Sequence, residues 1–504
     1  MKKLKLIFAT LLSVLFAFTG GKAFADDATY TLTLDGTTKG HIYEVYQIFA
    51  GDVSSDGTTL SNIEWGSGVV EGGFEFNGSS DAATIAESLD GIDDDSATAQ
   101  LFATTAAANL GTVTATVSST ADTTTIEDLA AGYYLVKDAN NSQSGENSSY
   151  TRFILKVVGD ATAELKSDVP SVEKKVKDTN DTTGKTSNWQ DSADYDINDS
   201  VPFQLTATLP SNLDDYTEYY LEFSDTLSSG LTYNKDAKVY LVNGDDEANV
   251  TSSFTVDTTN GLSFKINNLK GIEKDDDGNE VTITSSTKVV VEYTATLNEN
   301  AVIGSEGNPN TVKLIYSNNP NYTGSGETSP TGETPEDTVI VFTYKVVVNK
   351  VDQNGDALAG AGFTLYKKDS SGNWNEVETI SAGDTTTFTF KGLDDGDYKL
   401  SETTTPNGYN TIDDVEFTVT ADHDVESDSP ALNSLSGDVT TGSLTFTSNI
   451  TEDDASLTTK VVNKKGSVLP STGGMGTTIL YVVGTILVLA AGILLVTKKR
   501  MDAK

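Results

Sequence analysis

Cysteine is absent from all 504 residues, and histidine occurs twice. No disulfide can hold this chain, and too few soft ligands remain for a zinc enzyme. Basic residues are outnumbered 74 to 33, for a net charge of −41, which argues against nucleic acid because Lys and Arg neutralise phosphates there. The acidic balance reads instead as a solvated, soluble surface. No Ser–His–acid or Cys–His set and no strand-to-helix phosphate loop is recognisable, so no turnover enzyme is expected. Long helical periodicity is scarce, and no short fixed repeat points to a solenoid.

What is present begins at the two ends. "MKKLKLIFATLLSVLFAFTGGKAFA" has a basic start, an apolar run and small residues around Ala23 and Ala25, the pattern of a secretory signal cut after Ala25. At the other end, Ile479 to Val496 gives 18 predominantly apolar residues without a charge, followed by Lys498, Lys499 and Arg500. That is enough for one membrane span with a basic cytoplasmic flank. A span alone leaves Leu469, Pro470, Ser471, Thr472 and Gly473 unexplained.

Between the ends, short alternating runs such as "TYTLTL", "KVVVEYTATL" and "TTTFTF" are separated by turn residues. They predict an all-β chain of tandem β-sandwich domains. "DAATIAESL" is the one stretch read as a helix. Composition divides the chain into a signal peptide 1–25, a first domain 26–168, a second 169–344, a third 345–466 and a C-terminal segment 467–504. "KVDQNGDAL", with Asp352, Asn354 and Asp356, and "EKDDDGNE" read as turns and not metal loops. No metal or cofactor is expected.

The most informative residues interrupt the apolar faces. Alternation puts Lys174 between Val172 and Val176, Asp225 on the face of Leu221 and Phe223, and Asn310 on the face of Val312, Leu314 and Tyr316. Further on, Lys350 follows Val346 and Val348, Glu402 follows Tyr398 and Leu400, and Asn463 follows Val461. A lysine in such a place either snorkels to water or, if truly buried, loses its proton. A neutral amine beside an amide polarised by a carboxylic acid is set up for aminolysis, giving a Lys–Asn bridge with release of ammonia.

Several of these motifs carry a family resemblance. "LPSTG", the apolar span and the basic tail together resemble a Gram-positive cell-wall sorting signal. "VVVNKVD", "GAGFTLYKKD", "GLDDGDYKLSETTTPNGYN" and "TTKVVNKKG" resemble a Cna-B-type domain, and "SVEKKVKD" begins a stretch similar to the isopeptide-forming middle domain of fimbrial backbone subunits. The resemblance to sortase-assembled major pilins extends over about Asp26 to Gly473. It implies Lys350–Asn463 and Lys174–Asn310 bonds, with Glu402 and Asp225 as the acids. Asn318 shares the face of Asn310 and stays open as the partner of Lys174.

The same resemblance implies cleavage after Thr472 by a class C-type pilin sortase, acyl transfer to a lysine of another copy, and wall attachment to peptidoglycan by a housekeeping sortase. Lys166, in "ATAELKSDVP", is the expected acceptor, with Lys175 and Lys177 as exposed rivals. Minor pilins and a host surface ligand are further implied partners. The first domain has Lys137 where an acid would be needed and is expected to form no bond. The alternative is a singly wall-anchored adhesin or a minor pilin at a fibre base or tip.

Overall fold

The computed structural model describes residues 28–37, 39–92, 96–139, 142–143, 145–165, 168–259, 261–320, 322, 330–466 and 475–501. The signal segment 1–25, Lys166 and Leu469–Gly473 lie outside the described residues. The rest is mostly strand, as alternation predicts, arranged as β-domains in tandem.

The first unit owes its shape to one doubly covered sheet. Ile42–Val53 and Gly132–Asp138 pair antiparallel at its centre, flanked by Leu60–Trp65 and Arg152–Val157. Every residue of Gly132–Asp138 is buried, so this strand reads as a continuous apolar run and not as an alternation. One face packs on the helices Ala82–Ser88 and Ala97–Ala108 through Ile85, Phe102 and Ala106. The other faces a three-stranded sheet built on Tyr30–Asp35 through Leu32 and Leu34.

Asp81 caps the expected helix, accepting from the Thr84 amide at 2.9 Å. The second helix was not expected from the sequence. It starts at Ser96, whose hydroxyl accepts from the Ala99 amide at 3.2 Å, and its alanine-rich stretch has strong helix propensity despite weak amphipathicity.

The middle unit is a sandwich of two larger sheets. Val172–Val176, Ser200–Ala207 and Lys288–Leu297 are consecutive neighbours in one sheet. Leu221–Leu227, Asn308–Ser317 and Asp337–Phe342 belong to the other. Their inner faces enclose a single core with Phe203, Phe223, Val291 and Leu314 at its centre.

In the third unit, Tyr344–Asp352 pairs parallel with Asp454–Asn463, its last strand. The opposing sheet is built from Gly362–Lys368, Gly396–Thr404, Val415–His423 and their neighbours. The two acidic segments read as turns form turns: Asp352 and Asp275 each accept from nearby backbone amides, with Gly355 and Gly278 at positive φ.

Both junctions between units are bonded. Tyr150 donates its amide to the Asn318 carbonyl at 2.7 Å, and Asn318 Nδ2 donates to Ser148 Oγ at 3.0 Å. Between the second and third units, the Ile197 amide donates to the Gly392 carbonyl at 3.0 Å. A Cβ at Gly392 would lie 2.4 Å from Ile197, and its φ is +75°, so only glycine permits this approach. The C-terminal helix Met475–Met501 carries a 24-residue apolar segment, Thr478–Met501, long enough to cross a membrane.

Candidate functional site: two buried amine, carboxyl and amide clusters

In the middle sandwich the site draws on both sheets. The Val172–Val176 strand turns Lys174 inward beside Leu205, and the Lys288–Leu297 strand supplies Tyr293, paired with Phe203. The facing sheet supplies Asp225, opposite Val312, and Asn310, opposite Leu227. Lys174 and Asn310 are fully shielded from solvent, and Asp225 is 1% exposed.

Lys174 Nζ donates to Asp225 Oδ1 at 2.6 Å and to the Tyr293 hydroxyl at 3.3 Å. The Tyr293 hydroxyl donates to Asp225 Oδ2 at 2.5 Å and accepts from Asn310 Nδ2 at 2.7 Å. Phe203 and Tyr293 place their rings 5.5 and 5.6 Å from the amine. Among the described residues Asn310 Oδ1 has no hydrogen-bond partner, a deficit that normally costs about 1–3 kcal/mol when a polar group is buried.

Burial pushes the Lys174 amine below the usual lysine range, against the opposing pull of Asp225. Tyr293 is driven well above its ordinary value by burial first and by Asp225 second, so the phenol keeps its proton. A carboxyl, an amine and an amide therefore meet in one dry volume through a tyrosine hydroxyl.

Asn318, left open as a partner, is also buried, but its side chain is engaged by Ser148 at the first junction. Asn308, on the same face as Asn310, spends its amide on the Val302 amide and the carbonyls of Val302 and Val341. Of these three asparagines, Asn310 is the one that reaches the cluster, through the Tyr293 hydroxyl. Lys175 and Lys177, read as exposed, are both half-buried: Lys175 pairs with Asp191 at 2.6 Å, and Lys177 lies 4.5 Å over the Trp189 ring. Trp189 and Asp191, from the second unit's own chain, cover them.

The third unit holds the other cluster. Lys350 and Asn463 are fully shielded and lie on adjacent parallel strands, with Lys350 opposite Val461. Glu402 Oε1 accepts from Asn463 Nδ2 at 2.8 Å, while its Oε2 accepts from the Ile412 amide at 3.1 Å. Lys350 Nζ donates to the carbonyls of Val351 and Val461 at 3.2 and 3.3 Å. Burial lowers its basicity, with Glu402 and Asp352 opposing. Asn463 Oδ1, like Asn310 Oδ1, is buried without a partner among the described residues.

A further buried lysine was not singled out. Lys367 sits at the second junction, 2.9 Å from Asp181 and 2.7 Å from Asp196, and also bonds Asp394. These carboxylates hold it firmly protonated, above its ordinary value. In the first unit Lys137 pairs with Glu44 at 2.9 Å.

Comparison with known proteins agrees with this architecture. Residues 197–320 match a family model described as Gram-positive pilin backbone subunit 2, Cna-B-like domain. Residues 344–429 match the SpaA prealbumin-like fold domain, and residues 461–503 the LPXTG cell wall anchor motif. The matched segments are thus similar to domains of Gram-positive pilin backbone subunits, and the C-terminal one marks a cell-wall-anchored surface protein.

Among individual proteins, it is 30% identical over 264 residues to the trypsin-resistant surface T6 protein of Streptococcus pyogenes serotype M6, a match spanning 49% of this chain and 45% of that one. The solved T6 backbone pilin, a modular three-domain structure, superposes with a TM-score of 0.55 at 19% identity, covering 88% of this chain and all of that one. The major pilin SpaD of Corynebacterium diphtheriae gives 0.49 at 19% identity, with 88% of this chain and all of that one covered.

Proposed function

We propose that this chain is the major structural subunit of a covalently polymerised surface fibre. Sortase would cleave after Thr472 and join that carbonyl to Lys166 of the next copy, and the finished fibre would be attached to peptidoglycan. Within each copy, Lys174 would be bonded to Asn310 and Lys350 to Asn463, with Asp225 and Glu402 moving the protons. This is chemistry done once on itself, without turnover.

The observation that carries the reading is the buried contact of Lys174, Asp225, Tyr293 and Asn310, where an amine made less basic by burial faces an amide with an unpartnered oxygen. A folded chain gains little from such a group as a mere ion pair, since desolvation offsets most of the Coulomb attraction. As the precursor of an amide bond, the arrangement has a purpose. Each proposed bond ties the first strand of a sandwich to a strand near its end, so tension along the fibre would be borne by covalent links in a chain that lacks cysteine. The trypsin resistance in the streptococcal relative's name fits a chain locked in this way.

The test is intact mass together with gel mobility of wall extracts. The secreted subunit should be lighter than its sequence by two ammonia molecules, and the surface form should run as a ladder that survives hot detergent. An unshifted mass removes the internal bonds. One wall-linked band in place of a ladder leaves a singly anchored surface protein.

A further inference from the structure

We propose that Tyr293 is a catalytic residue of the Lys174–Asn310 condensation, its hydroxyl relaying a proton from Asp225 to the departing amide nitrogen. The assignment rests on the isopeptide reading above and concerns how the second unit accomplishes it.

The two clusters differ in one respect that calls for explanation. In the third unit Glu402 meets the amide nitrogen of Asn463 directly, at 2.8 Å. In the second, the acid is an aspartate, one methylene shorter, and both of its oxygens are taken up by Lys174 and Tyr293. The group that meets Asn310 Nδ2 is the Tyr293 hydroxyl, at 2.7 Å. A phenol thus supplies the reach that the shorter acid lacks. Its ring is fixed by Phe203 at 5.4 Å, Tyr233 at 5.6 Å and Phe264 at 5.6 Å, which holds the hydroxyl in place among the three reacting groups. The ring belongs to the apolar face of Val291 and Ala295, so packing alone would be served equally by phenylalanine.

The steps balance as follows. The proton shared in the Lys174–Asp225 pair rests on Asp225, leaving a neutral amine. Lys174 Nζ attacks Asn310 Cγ, forming the C–Nζ bond and placing negative charge on Oδ1. Tyr293 gives its proton to Nδ2 and takes the one held by Asp225. The C–Nδ2 bond breaks, ammonia leaves, and Asp225 removes a proton from Nζ. Amine and primary amide become a secondary amide and ammonia, with Asp225 and Tyr293 returned to their starting forms. General acid–base assistance of this type typically contributes about 10²–10⁴-fold.

The experiment compares the full secreted chain with Tyr293→Phe and with Tyr293→Phe combined with Asp225→Glu. The fraction of chains that have lost each ammonia is followed over time by intact mass and peptide mapping. Tyr293→Phe should close the Lys350–Asn463 bond normally while the Lys174–Asn310 bond forms at least about 10²-fold more slowly, the lower end expected for general acid–base assistance. The double variant should recover bond formation, because the longer carboxylate reaches the amide unaided. Bond closure in Tyr293→Phe at the wild-type rate overturns the relay, and so does a folded double variant that stays open. Loss of amide-exchange protection throughout the second sandwich in Tyr293→Phe would assign the hydroxyl a packing role and overturn it too. A wild-type chain with Lys174 and Asn310 both free is a different failure, that of the isopeptide reading itself.

Discussion

Four lysines are buried among the described residues, and for Lys174, Lys350 and Lys367 the neighbours decide what each can do. Lys174 has Asp225 as its ion-pair partner, Lys350 donates to two carbonyls, and Lys367 is ringed by Asp181, Asp196 and Asp394. The first two are pushed below the ordinary lysine range and the third above it. A nucleophile must shed its proton, and a strut must keep it. Glu402→Gln should therefore leave the mature chain one ammonia heavier than wild type, with the second unit's bond still formed. Lys367→Met should leave the mass deficit unchanged and destabilise the junction by about 3–5 kcal/mol, because Asp394 would be left buried without its counter-charge. Denaturant unfolding of the same samples measures the second effect. Alternation alone could not separate these lysines, since Lys367 follows Phe363 and Leu365 on a buried face just as Lys350 follows Val348.

Strands rather than loops carry both clusters, and this fixes what a bond would accomplish. Lys174 lies on a strand at the edge of its sheet and Asn310 on the opposite sheet, so the proposed bond clamps the sandwich across its core. Lys350 and Asn463 lie on adjacent parallel strands, so theirs would close the chain of the third unit end to end. Each closed loop contains on the order of a hundred residues, for which loop-closure entropy corresponds to about 5 kcal/mol. Lys350→Ala should lower the unfolding free energy of the third unit by roughly that amount, read from its chemical denaturation midpoint, and should open it to trypsin.

At this scale the strand pattern was legible because one face of each strand meets the core and the other meets water. The first unit resisted that reading where Gly132–Asp138 is covered on both faces. Its second helix resisted because alanine gives propensity without a strong apolar stripe.

Across the whole molecule, the junction between the second and third units concentrates acid. Asp178, Asp194 and His423 approach one another there, with Asp395, Asp196, Tyr344 and Lys367 close by. Burial, followed by the charge of Asp395, raises Asp178 to about 7. A carboxyl raised in the folded state stabilises fully below its unfolded value, and that contribution is lost as pH climbs through the folded one. His423, lowered by burial, acts in the opposite sense, contributing above its unfolded value and losing that contribution as pH falls. Asp178→Asn removes only the first term. Wild type should therefore lose stability relative to this variant between about pH 4 and pH 7, with the difference constant above that window. Thermal melts across that range check the slope. A junction weakened as pH rises to neutrality would let the proposed fibre bend there, while sandwiches closed by the proposed bonds would stay intact.

Much of this protein was fixed by local chemistry. The C-terminal anchor pattern, the tandem β-architecture and the inward placement of the amine, acid and amide side chains follow from patterns within a few residues of one another, because span length and strand alternation are local properties. Tertiary structure alone decided which polar groups meet: that Asn310 and not Asn318 reaches the Lys174 cluster, that Tyr293 stands between acid and amide, and that Lys367 is held by carboxylates from two units. Those contacts join strands far apart in the chain. Desolvation, which sets the charge of each group, depends on everything packed around it and not on its sequence neighbours.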